Sequence, residues 1–276
     1  MPLKITTLIE NSPGEHHGLK TEHGISFLIE KDGHKILFDT GQTGTFLENA
    51  EQLRADLASL EYVVLSHGHY DHSGGLKHLA QLTTNFELVM GQGFFAEKYG
   101  YKNNSYEYLG NNFDENFLND KGIAYQFVSQ QLTELVAGVY VVTSFPRIHE
   151  DEVINPRFKV QKDGSFQPDP FDDEVLLAVD TPEGLVVVLG CSHPGMKNML
   201  DAVTTLIKRP VYAILGGTHL VEANEQSLGI SMEYLQNNAL KVIGVSHCTG
   251  QIAMDQLAAS DKRYYHNRTG SSLIVA

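Results

Sequence analysis

The chain runs to 276 residues, with 34 aspartates and glutamates against 20 lysines and arginines and a formal net charge of −14. That acidity, with no basic run to offset it, argues against nucleic acid as a partner, because affinity for phosphate backbones rests on clustered Lys and Arg. No apolar stretch approaches the roughly 20 residues that cross a bilayer, the opening Met-Pro-Leu-Lys-Ile-Thr-Thr lacks the basic-then-apolar pattern of a secretory signal, and Cys191 and Cys248 make no disulfide framework, so no membrane partner is expected and a reducing cytoplasm is the expected compartment.

Residues 3–9, 25–30 and 35–38 read as strands, the last two joined by the turn signal Lys31-Asp32-Gly33. Residues 43–60 place apolar side chains at Phe46, Leu47, Ala50, Leu53, Leu57 and Leu60, a helical spacing. Tyr62-Val63-Val64-Leu65 is a short buried strand, 76–82 a helix and 86–90 a strand. Strands follow at 123–128, 139–143, 175–179 and 185–189, then a helix at 196–208, a strand at 211–215 and a helix at 227–237. The chain closes with a strand at 242–245, a helix at 251–259 and a strand at 272–275. Strands first and strand–helix repeats after, in both halves, fit two sheets packed face to face with helices outside. No Pro/Ser-rich linker interrupts that order, so residues 1–276 are read as a single domain with a substantial core.

Two lid-like insertions, at about 100–122 and 145–173, depart from the alternation. The first is polar and aromatic, with Tyr101, Tyr106, Tyr108, Phe113 and Phe117 among asparagines; the second is punctuated by prolines. Loops above about 15 residues inside a compact domain are functional lids or disordered segments. The aromatics favour ordered lids, whose flat apolar surfaces could stack on a ring-bearing substrate. A local mini-core or a contact between copies in a homo-oligomer is the alternative use of the same side chains.

The chemistry concentrates in Ser66-His67-Gly68-His69-Tyr70-Asp71-His72-Ser73-Gly74-Gly75, on the loop leaving the 62–65 strand. Imidazole nitrogen and carboxylate oxygen are ligands that zinc, iron and manganese favour. A lone histidine in a loop is an ordinary surface residue. Three histidines and an aspartate within six positions, wrapped in glycines, make a metal-ligand cluster. His67 and His69, two apart in an extended segment, can face one ion; Asp71 and His72, past a turn, can reach a second.

This His-x-His-x-Asp-His pattern at a strand end resembles the metallo-β-lactamase superfamily of hydrolases. Ile36-Leu37-Phe38-Asp39-Thr40-Gly41 looks like the family's strand-plus-turn segment, whose aspartate braces the histidine loop. Gly190-Cys191-Ser192-His193-Pro194-Gly195, Gly216-Gly217-Thr218-His219-Leu220 and Ser246-His247-Cys248-Thr249-Gly250 each follow an apolar strand-like run. That combination is similar to the branch of the dihydropterin-ribofuranosylaminobenzene-phosphate synthases. The resemblance implies an α/β (α+β) fold, the four-layer αββα sandwich, around two divalent metal ions per chain, zinc first and iron or manganese as alternatives. Such a centre needs about three protein ligands per ion plus a bridging solvent. His247 matches the family's final histidine, which completes the Asp71–His72 ion. After Val188-Leu189-Gly190 the family would place an aspartate, and this chain has Cys191, Ser192 and His193 instead. We take His193 as a ligand and Cys191 as the alternative, since cysteine among apolar residues more often fills a core.

A divalent ion lowers the pKa of bound water from about 15.7 to near 7, and in such a centre Asp71 would orient the hydroxide and accept its proton. Asp39 would fix the tautomer of a ligand histidine. His219, whose neighbouring glycines let backbone approach a ligand closely, is expected to touch substrate or to be a further ligand. His23, in Glu22-His23-Gly24, resembles a segment of the branch near its site and is given a substrate role. Arg147 and Arg157, with Lys102, are the cations available to hold a phosphate or carboxylate. His149 could reach the mouth of the site, while His16, His17, His34, His78 and His266 carry no site role. The expected function is a metal-dependent hydrolase using a di-metal-activated hydroxide on a small anionic molecule. The alternatives are a dihydropterin-type transferase releasing pyrophosphate and a non-enzymatic metal or small-molecule sensor on the same fold.

Overall fold

Residue alternation along the strands sets the layering. In the strand His34–Phe38, Ile36 and Phe38 face one side and Leu37 the other, as the two-residue period of a strand requires. Both faces are apolar, so both must be covered. The computed structural model describes residues 2–16, 18–237 and 239–276, and His17 lies outside them.

One sheet has seven strands in the spatial order Ser272–Val275, Leu3–Ile9, Ser26–Lys31, His34–Phe38, Tyr62–Val64, Glu87–Gly91 and Ala124–Val128. The other has six, in the order Val242–Ser246, Val211–Gly217, Gly184–Leu189, Leu176–Thr181, Val139–Val142 and Leu132–Val136. Their inner faces share one core, in which Phe27, Ile36, Phe38 and Val89 meet Val141, Leu177, Val186 and Leu215. Helices Thr45–Leu53, Leu76–Leu82 and Glu115–Lys121 cover the first sheet. Helices Met196–Ile207, Glu225–Asn237 and Gln251–Ser260 cover the second. This is the αββα sandwich expected from the sequence.

Each sheet contains a run of parallel strands: four in one, His34–Phe38, Tyr62–Val64, Glu87–Gly91 and Ala124–Val128, and three in the other, Gly184–Leu189, Val211–Gly217 and Val242–Ser246. The carboxyl ends of parallel strands are where open α/β sheets build sites. Asp39, the Ser66–Gly75 loop, Cys191 to His193, Thr218 to His219 and His247 all follow such ends. Gly216 is required here, because its φ is +109° and a Cβ would stand 2.0 Å from the Leu189 carbonyl oxygen.

The expected hairpin at Lys31-Asp32-Gly33 forms, with positive φ at Asp32 and Gly33 as a type I′ turn needs. Three expectations are corrected. The helix placed at 43–60 spans only Thr45–Leu53, because Arg54 turns into the left-handed region and closes it on Ala50 and Glu51 carbonyls. Leu57 and Leu60 are still buried, but in the turn beyond. The strand Leu132–Val136 was not read from the sequence. Finally, much of the first irregular stretch, including the helix Glu115–Lys121, and the middle of the second form regular structure. Glu97–Lys102 and Ser105–Tyr108 make a hairpin about Asn103 and Asn104, and Phe158–Lys162 and Ser165–Pro168 make another about Asp163 and Gly164. The hairpins pair through Phe158–Lys162 and Glu97–Lys102 into a third, four-stranded sheet. Within it Tyr106 stacks on Phe166 at 3.6 Å, while Tyr101, Tyr106 and Tyr108 keep an exposed face. No described helix is long and apolar enough to cross a membrane.

Candidate metal centre

Asp39 organises the histidine loop. Its side chain is fully buried, its φ is +58°, and its carboxylate accepts the Ser66 N–H at 2.7 Å and the Ser66 hydroxyl at 2.8 Å. The same carboxylate lies 2.6 Å from His72 Nδ1, so it takes that proton and aims Nε2 away from itself. Ser66 Oγ, having donated to Asp39, accepts from His67 Nδ1 at 2.9 Å. Gly68 lets the loop pass Phe94, whose carbonyl oxygen would be 2.2 Å from a Cβ there, and donates its N–H to Asp173 at 2.9 Å.

Two groups of donors result. The donor atoms of His67, His69 and His193 lie within 4.8 Å of one another, with His67 Nε2 and His69 Nδ1 only 3.0 Å apart. Burial pushes all three imidazoles well below the ordinary histidine range, so each is neutral and keeps a lone pair. His193 is held by Glu174, which accepts the Ser192 and His193 N–H groups at 2.5 and 2.9 Å, and Phe171 stacks on its ring at 3.7 Å.

Asp71 centres the second group. Its Oδ2 lies 3.2 Å from His23 Nε2, 3.3 Å from His247 Nε2 and 3.7 Å from His72 Nε2. Burial works to raise this carboxyl, but His72, His23 and His247 outweigh it and hold Asp71 well below the usual carboxylate range. His72 shows the converse: burial disfavours its charge, yet Asp39 and Asp71 push it up to about 9. The position between those carboxylates therefore calls for a positive charge, which a proton or a metal ion can supply. His247 is placed by residues at the far end of the chain, its N–H on Glu10 at 2.7 Å and its Nδ1 2.9 Å from Asn11 Oδ1.

The donors fit metal ions. Nε2 of His69 and of His193 is buried without a hydrogen-bond partner among the described residues, and Nε2 of His247 meets only the Asp71 carboxylate, at 3.3 Å. An orphaned buried polar atom costs about 1–3 kcal/mol, and two of them in one site mark missing partners.

The other expected residues separate. His23 is half exposed and faces Asp71 at the rim. Cys191 Sγ lies 3.2 Å from His72 Nε2 and groups with His67 and His72. His219 joins neither histidine group; its ring stands 4.3 Å from that of His193, and its donor groups with Cys191 and Cys248. A cleft of about 490 Å³ opens over His23, His69, Asp71, His193, His219 and His247. Arg157 is the one arginine or lysine lining it, paired to Glu222 at 2.6 Å and lying over the Phe158 ring. A neighbouring cavity of about 710 Å³ shares His193 and His219 and is lined by Glu150, Asp151, Glu152 and Glu222, with no lysine or arginine. Arg147 lies elsewhere: it bonds the Pro170 carbonyl beside Phe171 and Asp172 and lines neither cavity. Lys102 lines neither, and His149 pairs with Asp201 at 2.7 Å. The residues that hold the ligand-bearing loops, buried Glu10, Asp173 and Glu174 and exposed Asn11, are not legible in the sequence. Their only signal is acidic or amide character abutting apolar strands.

Residues 21–192 match the model of the metallo-beta-lactamase superfamily. A curated relative, the 7,8-dihydropterin-6-methyl-4-(β-D-ribofuranosyl)-aminobenzene-5′-phosphate synthase of Methanocaldococcus jannaschii, is 29% identical over 263 residues, covering 90% of this chain and 88% of its own. Among solved structures, Tm1679, described as a metal-dependent hydrolase of the beta-lactamase superfamily, aligns with a TM-score of 0.86 at 28% identity over 99% of both chains. A diphosphatase of the PhnP family shares the fold at a TM-score of 0.56 and 13% identity, over 98% of this chain and 97% of its own.

Proposed function

The chain belongs to the metallo-β-lactamase superfamily, and we propose that it is a hydrolase working with two divalent ions. His67, His69 and His193 would hold one; Asp71, His72 and His247 would hold the other. The observation that carries this is the convergence of buried histidines on two points, His67, His69 and His193 on one and His23, His72 and His247 around the ionised Asp71 on the other. Nitrogen and oxygen donors, three to an ion with a position left open, suit zinc first and iron or manganese after it. Held there, such ions would supply water activated near pH 7 and polarisation of a carbonyl or phosphoryl oxygen.

The chain's own residues do the rest. Asp71 stays ionised and accepts the proton that the attacking water gives up. His23, at the rim, donates to Asp71 and keeps its carboxylate turned toward the cleft. Phe158 and Phe171 pack against the His69 and His193 rings and exclude water from that side. Arg157 is placed to hold the phosphate or carboxylate of a small substrate, which a cleft of about 490 Å³ can accept.

A second reading is a dihydropterin-type transferase releasing pyrophosphate, favoured by the synthase relative that matches most of the chain. Incubating the metal-loaded protein with small phosphate and carboxylate esters, and with pyrophosphate-bearing donors with and without an acceptor amine, separates the two. Turnover with water alone is the expected result. Pyrophosphate release only with the amine present supports the transferase, and well under one ion per chain in protein never exposed to chelator removes both.

A further inference from the structure

Behind the two histidine groups lies a third set of donors. Cys191, Cys248 and His219 bring their donor atoms within 4.8 Å of one another, each from a loop after a different parallel strand of the second sheet. Both cysteines are buried, and His219 Nδ1 is buried with no hydrogen-bond partner. His219 sits in the left-handed region at φ +52° and donates its backbone N–H to Cys248 Sγ at 3.3 Å. A non-glycine residue in that conformation costs of order 1–3 kcal/mol, and here it directs the ring toward the sulfurs. Zinc–sulfur and zinc–nitrogen bonds of about 2.3 and 2.0 Å put tetrahedral donors about 3.5 Å apart, within the span these atoms occupy.

We propose that Cys191, Cys248 and His219 form a further metal site of two thiolates and one imidazole, selective for a thiophilic ion such as zinc or ferrous iron. Each sulfur binds as thiolate, its proton passing to solvent as the ion enters. All three residues line the same cleft, so an ion held by them would lie within reach of a substrate bound there. His219 is then a ligand, the second of the two roles expected of it from sequence. Cys191, which also faces His72 at 3.2 Å, ties this site to the neighbouring centre.

The test is cobalt(II) loading of the full chain, read by metal count and absorption, with zinc X-ray absorption on the wild type. The expected result is an intense thiolate-to-cobalt charge-transfer band, lost in Cys248→Ser and weakened in His219→Ala, with about one ion fewer per chain in Cys248→Ser. Zinc-loaded wild type should show sulfur neighbours at about 2.3 Å, a measurement that holds if the variants fail to fold. Bound cobalt without a thiolate band overturns the proposal while leaving the hydrolase reading intact. So does a band lost in Cys191→Ser yet unmoved in Cys248→Ser and His219→Ala, which would assign the sulfur to the neighbouring centre alone. Absence of turnover of any offered substrate by the wild type with all its ions bound would count against the hydrolase reading only.

Discussion

Asp71 is the residue on which most of the proposed chemistry turns, because three imidazoles surround one of its oxygens. Asp71→Asn removes both a ligand and the proton acceptor while preserving shape. Turnover should fall by the 10²–10⁴-fold expected of lost acid–base catalysis, with an unchanged circular dichroism spectrum. A variant retaining more than about a tenth of the wild-type rate would contradict the assigned role. His193→Ala offers a second test, since it opens the His67–His69 group. Metal analysis after dialysis should show about one ion fewer per chain, whereas His149→Ala, whose ring is tied to Asp201, should leave the count as it was. At this scale the sequence was informative where ligands are close neighbours. His67, His69, Asp71 and His72 are legible as a cluster because one short loop carries them. Arg147 was misplaced, since nothing local reveals that its guanidinium turns to the Pro170 carbonyl.

Among elements, the third sheet is the main departure from the expected pattern. Its turns are announced by Asn103-Asn104 and Asp163-Gly164, but its strands are half polar and lack a clean alternation. Lys98 joins it to the sandwich. That ammonium is buried between Asp169 and Asp173 at 2.8 and 2.9 Å, and Asp173 in turn holds Gly68 of the histidine loop. Lys98→Met leaves two carboxylates buried without their cation. Breaking such a pair costs about 3–5 kcal/mol, so urea unfolding should show a loss of that order. Lys35→Met, which breaks an exposed pair with Asp56, should cost no more than about 1 kcal/mol. Equal losses in the two variants would show that the third sheet is not anchored through Lys98.

For the whole molecule, the net charge of −14 and the donors gathered between the sheets make cation binding and folding stability a single question. A ligand at about 100 times its Kd stabilises the folded state by about 2.7 kcal/mol, which for a chain of this size corresponds to roughly 5–10 °C in Tm. Chelation should lower the thermal midpoint by that much and zinc should restore it; a midpoint indifferent to both would argue against ions held by the folded centre. All strands of the two packed sheets but Leu132–Val136, most helices, the Asp32-Gly33 hairpin and the histidine loop are readable from sequence, because periodicity, turn chemistry and short spacing are local properties of a chain. The meeting of His247 with Asp71 was implied by the family resemblance; only the tertiary structure brought His193 to His67, His23 to Asp71, and Cys248 and His219 to Cys191. Those meetings depend on which strand ends the two packed sheets bring together, and no local pattern encodes that distance.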